Sequence, residues 1–514
     1  MMPYPRKKLM PRWAVALVIL VALIAAPAAR AIAQGASAVP DPSRIEHELR
    51  PAVRILGRPD TTFELADRMR LYHVPGVSIA VVDGDRVVWA QGFGVKTFGG
   101  HDPVDTSTIF QAGSISKPVF ASGLLQLVEQ GKLGLDENVN SYLRSWHLPD
   151  SRFTRDKKVT LRTQLSHSAG LTVWGFPGYA AGAPIPTIPQ VLDGAKPANT
   201  PAVRNDTVPG ARWMYSGGGM TIAQLVATDV TGEAFPELMR RLVLAPDGMV
   251  HSTYQNPLPD AYAAFAATGH ERPDTPVPGR YHTYPEMAAA GLWTAPSDLA
   301  RWAIMLAQSY EGRAGGALSP AMARQMLTPQ VEVPAQFAGP VKSYWGLGVE
   351  LRGSGSSFRF THDGRDEGFV ADLVMWPGHE RGLVIMTNGV SGALMNEIAR
   401  AFGAEYGLEA VPRIEKRLVA VDSAALDSLT GVYRVEQGGQ TVNVAITHHE
   451  DQLWVTNLGG GLPGRLLPDS PDSFFALDSG AEWTFERPAG NPSGAATAVV
   501  QSAGTQKVEL RRVR

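Results

Sequence analysis

Two pairs of short β-branched runs, set far apart in the chain, constrain what it can fold into. Gly76 to Val82 and Arg86 to Gly92 are separated by Asp83-Gly84-Asp85, a turn whose glycine accepts a positive φ, and the combination predicts a β-hairpin. Far downstream, Gly368 to Trp376 and Gly382 to Asn388 flank Pro377-Gly378-His379-Glu380-Arg381 in the same way. Between the two hairpins the apolar residues change to a helical period. Val119, Leu124, Leu125 and Val128 fit one face, as do Ile222, Leu225 and Val226 before Gly232, and Leu299, Trp302 and Leu306. Hairpins imply antiparallel pairing, so the expectation is an α+β domain with one antiparallel sheet assembled from both ends and a helical middle packed beside it.

The texture changes again after the mixed stretch Arg413 to Ser423. Gly431 to Val435, Thr441 to Thr447, Gln452 to Thr456, Ser473 to Leu477, Trp483 to Arg487 and Lys507 to Val513 are short alternating segments divided by Gly, Pro and Asp. They predict a small all-β module, sandwich or barrel, over 424–514, joined by a linker at 408–423.

The first residues predict a targeting segment rather than structure. Arg6, Lys7, Lys8 and Arg12 precede an apolar run from Trp13 to Ala26, and Ala31-Ile32-Ala33 offers a small-x-small cleavage site. That run is short against the ~20 residues needed to span a bilayer, so the expectation is a signal peptide over 1–33, cut after Ala33. The protein would then be periplasmic or secreted, with no stable membrane span. Across the 514 residues, 47 basic side chains nearly balance 49 acidic ones, which leaves no extended basic surface for nucleic acid. Losing the leader removes Arg6, Lys7, Lys8, Arg12 and Arg30 and tips the balance further towards acid. The chain has no cysteine, which excludes disulfides, thiolate-bound zinc and a cysteine nucleophile.

The candidate chemistry begins at Ser114-Ile115-Ser116-Lys117, which follows the strand-like Thr108-Ile109-Phe110 and opens a helical pattern. A spacing of three puts Ser114 and Lys117 on one helix face. A serine hydroxyl is a weak nucleophile until a base takes its proton, and a desolvated lysine can be that base. The backbone N–H groups of a helix start also favour a developing oxyanion. Tyr215-Ser216-Gly217 supplies a loop tyrosine that, beside a lysine, would have a lowered phenol pKa and carry protons. His362-Asp363-Gly364 lies before Gly368-Phe369, and there Arg365 could offer a backbone N–H to a substrate carbonyl. Taken singly, each of these has a plain alternative in a helix cap, a packed ring or a satisfied strand histidine. His448-His449-Glu450-Asp451 fits a solvated turn better than a metal site, because successive strand residues point to opposite faces. There is no G-x-S-x-G elbow, H-E-x-x-H pair, Walker loop or dinucleotide fingerprint.

The ordered set is more specific than its parts. Phe110-Gln111-Ala112-Gly113-Ser114-Ile115-Ser116-Lys117, Gln164-Leu165-Ser166-His167-Ser168-Ala169-Gly170-Leu171, Tyr215-Ser216-Gly217, Ala290-Gly291-Leu292 and His362-Asp363-Gly364 follow one another as in the penicillin-recognising serine hydrolases. From about 50 to 407 the chain resembles that family of class C β-lactamases, D,D-peptidases, D-aminopeptidases and β-lactamase-fold esterases. The resemblance implies an antiparallel sheet flanked by helices, packed on an all-helical subdomain, with the site in the crevice between them. It implies Ser114 as nucleophile, Lys117 as its base, Tyr215 as proton carrier, and the N–H groups of Ser114 and Arg365 as oxyanion hole. It also places Gly217, His362 and Gly364 along the substrate and makes His167 a structural loop residue. More loosely, the C-terminal module resembles small lipocalin-like domains, on Gly431-Val432-Tyr433 and the strands after it.

Two departures shift the expected substrate. The family's β-lactamases carry an Asn where this chain has Gly217, and a Lys where it has His362, which is mostly neutral at pH 7 if its pKa is near ~6.5. Asp363, Asp366 and Glu367 would further repel a substrate carboxylate. The expectation is therefore hydrolysis of esters, amides or peptides through a Ser114 acyl-enzyme, with no metal and no organic cofactor. The alternatives are a β-lactamase or D,D-carboxypeptidase, and an acylated penicillin-binding sensor without turnover.

Overall fold

The computed structural model describes residues 39–513 apart from 314–315, 340, 438–439, 459–462, 492 and 505. The expected signal peptide lies outside the described residues, and no described helix is long and apolar enough to cross a membrane.

The sheet is built from both ends, as the hairpins predict. Its strands are β1 (Gly76–Asp83), β2 (Arg86–Gly94), β3 (Val331–Glu332), β4 (Ser343–Trp345), β5 (Glu350–Arg352), β6 (Arg359–Asp366), β7 (Phe369–Trp376) and β8 (Arg381–Thr387), in the order β2-β1-β8-β7-β6-β5-β4-β3. Every pairing is antiparallel. β1 is apolar along nearly its whole length because both faces are covered. Ala80 and Val82 face the large core shared with the helical middle, whereas Val77, Ile79 and Val81 face a second core. That second core is closed by the C-terminal helix Gly392–Tyr406, through Leu394, Ile398 and Phe402.

The helical middle centres on α1 (Ser116–Glu129) and α2 (Gly217–Thr231). Sequence periodicity gives α1 one apolar face, but the structure buries it on all sides, as expected of a helix clamped between a sheet and other helices. Pro118 sits in the first turn, where the backbone N–H groups have no intrahelical acceptor and proline does no harm. α2 starts at Ser216, whose hydroxyl accepts from Gly219 N–H (2.9 Å), and stops at Gly232 in the left-handed conformation.

The C-terminal module is a closed eight-stranded barrel over 431–513. Two of its strands, Gly464–Pro468 and Ala498–Ala503, escaped the sequence reading because short runs of Gly, Pro, Ala and Ser lack clean alternation. The barrel is filled: Tyr433, Leu453, Phe474, Phe485 and Val499 pack inside it. The 408–423 connection carries the strand Ile414–Lys416, which pairs in parallel with Val53–Ile55. Lys416 bonds Asp469 (2.8 Å) and Glu482 (2.5 Å), while Val53 packs with Leu467, Phe475 and Leu477, so the barrel is fastened to the N-terminal edge of the hydrolase unit.

Candidate active site

Ser114 sits in the 3-10 turn Gly113–Ile115 that leads into α1. The turn is fixed from below: the Ser116 hydroxyl donates to Gly113 O (2.6 Å) and accepts from Leu292 N–H (2.9 Å), and the Tyr254 hydroxyl donates to Ser116 O (2.7 Å). Lys117 is 1% exposed. Its Nζ donates to the Ser114 hydroxyl and to the Ala289 carbonyl, each at 2.8 Å. Gln224 of α2 sets that second acceptor by bonding Pro285 O (3.1 Å) and Ala288 N–H (2.8 Å), which shapes the turn around Ala289. Burial lowers the Lys117 pKa to about 7 against the pull of Asp366 and Asp363. An amine that is neutral about half the time at pH 7, touching a serine hydroxyl, can take its proton.

Tyr215 shares a hydrogen bond with Ser114, and Lys117 Nζ lies 5.0 Å from its ring centroid. The expected lowering of the phenol pKa is not found: burial pushes it up, and the hydrogen bond from Ser114 does not offset this. Tyr215 therefore stays protonated and acts as a donor. His167 holds the loop that carries it. The His167 carbonyl accepts from Met214 N–H (2.6 Å), its Nδ1 accepts from Ser216 N–H (3.2 Å), and its ring lies 4.2 Å from that of Tyr215. An accepting Nδ1 means that the proton is on Nε2, and burial keeps this histidine neutral.

β6 forms the opposite wall. It pairs with β5 only as far as Thr361, and from there its free edge is met by the serine turn. A Cβ on Gly364 would lie 1.9 Å from Ala112 O and 3.1 Å from Ser114 N, and one on Gly113 would lie 2.4 Å from Arg365 N. Two glycines thus let the serine turn and β6 approach closely beside the backbone nitrogens of Ser114 and Arg365, the pair expected to form an oxyanion hole.

Three of the residues expected along the substrate do not line the cavity. His362 is 2% exposed, with its ring edge-on to Trp345 (5.4 Å) and its Nδ1 bonded to Asp363 O (2.5 Å); burial lowers its pKa to about 4. It is a neutral floor residue. Gly217 is buried under the 174–176 loop, its N–H bonded to Trp174 O (2.9 Å), and a Cβ there would meet Phe176. Gly364 faces the serine turn and acts through the close approach just described.

The cavity, about 490 Å³, is lined by Ser114, Lys117, Tyr215, Asp363 and Arg365 together with groups the sequence reading passed over. Trp174, Trp213, Tyr215, Phe337 and Trp345 form a continuous aromatic wall, with Trp174–Tyr215 at 4.8 Å, Trp213–Phe337 at 5.1 Å and Tyr215–Trp345 at 5.6 Å. Trp213 and Trp345 hold buried indole N–H groups with no acceptor among the described residues. Those rings come from separate loops, the short helix Ala335–Ala338 and β4, so no periodicity announces them; their only signal is large aromatic residues in otherwise polar connections. Among the described residues no three His, Asp or Glu side chains converge on a possible metal position. His448, singled out from the sequence, bonds Asp427 (2.7 Å) at the end of a barrel strand.

Residues 64–407 match the family described as Beta-lactamase. The Unguisins hydrolase ungD of Aspergillus violaceofuscus is 27% identical over 366 residues, 63% of this chain and 60% of that relative, so the chain spans less than two thirds of its length. Penicillin-binding protein 4 of Amycolatopsis lactamdurans is 25% identical over 375 residues, 71% of this chain and 95% of the relative. Among solved structures, the octameric penicillin-binding protein homologue from Pyrococcus abyssi superposes with a TM-score of 0.58 at 20% identity, covering 87% of this chain and 98% of that one.

Proposed function

This chain belongs to the Beta-lactamase family, among its serine hydrolases, and we propose that it is an exported enzyme that cleaves esters, or amides and peptides, through an acyl-enzyme on Ser114. The observation that carries the reading is the 2.8 Å contact between a buried Lys117 amine and the Ser114 hydroxyl, with that amine brought to about 7 by burial. Neutral Lys117 takes the hydroxyl proton as Oγ attacks the substrate carbonyl. The tetrahedral oxyanion is met by the N–H groups of Ser114 and Arg365. The proton passes through Tyr215, held as a phenol, to the leaving alcohol or amine, and water then repeats the sequence in reverse to release the acid.

Esters or amides are favoured over β-lactams because the cationic anchor for a substrate carboxylate is absent. His362 is neutral and buried, and Asp363, exposed beside it, would repel an anion. Turnover rather than a trapped acyl-protein is supported by the relative named as a hydrolase. Export rests on the basic, apolar and small-x-small order of residues 1–33.

The test is steady-state turnover of a short-chain p-nitrophenyl ester and of a chromogenic cephalosporin by the protein and its Ser114→Ala variant, with intact mass recorded in parallel. The reading expects continuous ester release that the variant loses, and little cephalosporin cleavage. One stoichiometric burst with a lasting adduct would instead make the protein an acylated sensor, and activity surviving in the variant would remove Ser114 from its role.

A further inference from the structure

The charged groups around the cavity do not balance. Glu271 is taken by Arg365 (2.5 Å) and by Gly368 N–H (3.1 Å), and Glu350 by Arg352 (2.9 Å). Asp363 and Glu367 line the same cavity and make no ion pair among the described residues. Trp174 and Phe337 line the same cavity, 54% and 52% exposed, with ring centroids 5.6 Å apart. Deeper in, Asp366 is 4% exposed and lines the cavity beside the Tyr284 hydroxyl and the Gly113 backbone, and burial pushes its pKa well above the usual carboxylate range. Unpaired carboxylates and open ring faces share one complementary ligand chemistry, that of a cation carrying N–H or N–CH₃ groups.

We propose that the site selects substrates bearing a positively charged amino group, which Asp363 and the exposed aromatics Trp174 and Phe337 hold while Ser114 attacks a carbonyl nearby. The proposal rests on the hydrolase reading above and specifies its substrate class. Asp363 lies two residues before Arg365 on β6, so by strand rise the charge sits ~6.6 Å along the strand from the Arg365 N–H. Asp363, Glu350 and Phe337 also wall an adjoining cavity of about 450 Å³, which leaves room beyond the charge for a longer chain. The same geometry disfavours a substrate carboxylate at this position.

Isosteric pairs isolate the charge. The first compares p-nitrophenyl 6-aminohexanoate with p-nitrophenyl heptanoate, and the second acetylthiocholine with S-(3,3-dimethylbutyl) thioacetate; the thiol read-out of the second has no background from a chain without cysteine. An apolar cavity without the proposed anchor would prefer the neutral member of each pair, since the charged one must shed water. The proposal expects kcat/KM to favour the cationic member of at least one pair by about tenfold at low salt, a preference that shrinks as salt screens the half-exposed carboxylate. Asp363→Asn should remove most of that preference and Asp363→Glu should restore it. Neutral members preferred in both pairs, or a cation preference unchanged in Asp363→Asn, would overturn the proposal. In either case, neutral-ester turnover lost in Ser114→Ala would leave the hydrolase reading standing, whereas turnover of no ester at all would sink both.

Discussion

Replacing Lys117 by methionine should abolish activity and yet raise stability at neutral pH, because the two properties draw on the same buried charge in opposite directions. The Lys117 pKa is about 7 in the folded protein against 10.5 when unperturbed. At about 1.4 kcal/mol per unit, keeping this side chain in its site costs folding about 4 kcal/mol at pH 7, where the unfolded chain still holds the proton. Methionine has a similar shape and no charge. The substitution does lose the bonds to Ser114 and Ala289 and leaves the Ala289 carbonyl unpaired, about 2–3 kcal/mol together. The variant should therefore be more stable than the parent by about 1–2 kcal/mol at pH 7, a few degrees in Tm for the hydrolase transition. The sign then changes with pH. Between pH 7 and 10.5 the unfolded chain binds more protons than the folded one, so the parent gains stability with rising pH while the variant lacks this contribution. By pH 10 most of the cost has gone and the parent should be the more stable of the two. Scanning calorimetry of both proteins at pH 7 and pH 10 reads the crossing. In the parent, kcat/KM should rise on an ascending limb with an apparent pKa about 7, as expected when neutral Lys117 is the base. A variant less stable than the parent at pH 7, by a margin that does not change up to pH 10, would refute the reasoning.

Two further substitutions test the rest of the site. Tyr215→Phe removes a donor that burial keeps protonated, so kcat for a p-nitroanilide should fall on the order of a hundredfold or more, well beyond the fall for a p-nitrophenyl ester, whose leaving group needs little protonation. Equal losses on both substrates would take Tyr215 out of leaving-group protonation. Gly364→Ala places a Cβ 1.9 Å from Ala112 O, which must push the serine turn away from β6; kcat should drop on the order of a hundredfold, with circular dichroism showing a folded chain. An unchanged rate would mean that the two N–H groups are not the oxyanion site.

Those residues were legible in the sequence to different degrees. The hairpins and the helical middle show their periodicity directly in the sequence, and the ordered motifs carry the family resemblance. Ser114 and Lys117 are legible through their spacing of three at a helix start, once the motifs that follow them in order set aside the plain helix-cap alternative. Tyr215 is legible, but the sign of its pKa shift is not: a neighbouring lysine predicts a lowered phenol, whereas the aromatic packing that buries it, set by distant loops, raises it. His362 and Gly217 failed for the same reason. Whether a motif residue touches substrate or lies one layer beneath depends on what loops from elsewhere cover, here Trp345 and the 174–176 turn. The aromatic wall was invisible because its members are far apart in the chain, on elements too short and irregular to show a period.

The replacement of a cationic residue by His362 also bears on how Lys117 can work. Lys117 and Asp366 are both fully buried, and each responds to the other: the carboxyl raises the amine's pKa and the amine lowers the carboxyl's. Burial opposes both tendencies, since an ion pair in a dry site must recover the hydration of two charges, whereas a neutral amine beside a neutral acid recovers none. Asp366 is accordingly pushed well above the usual carboxylate range, which spares Lys117 the full charge of an adjacent anion and leaves it free to lose its proton near neutrality. With His362 neutral, desolvation is the largest influence on the base and outweighs the pull of Asp366 and Asp363. On this account a substrate that shields the cavity from water should lower the Lys117 pKa further, so the ascending limb of kcat should lie at lower pH than that of kcat/KM; coincident limbs would refute it.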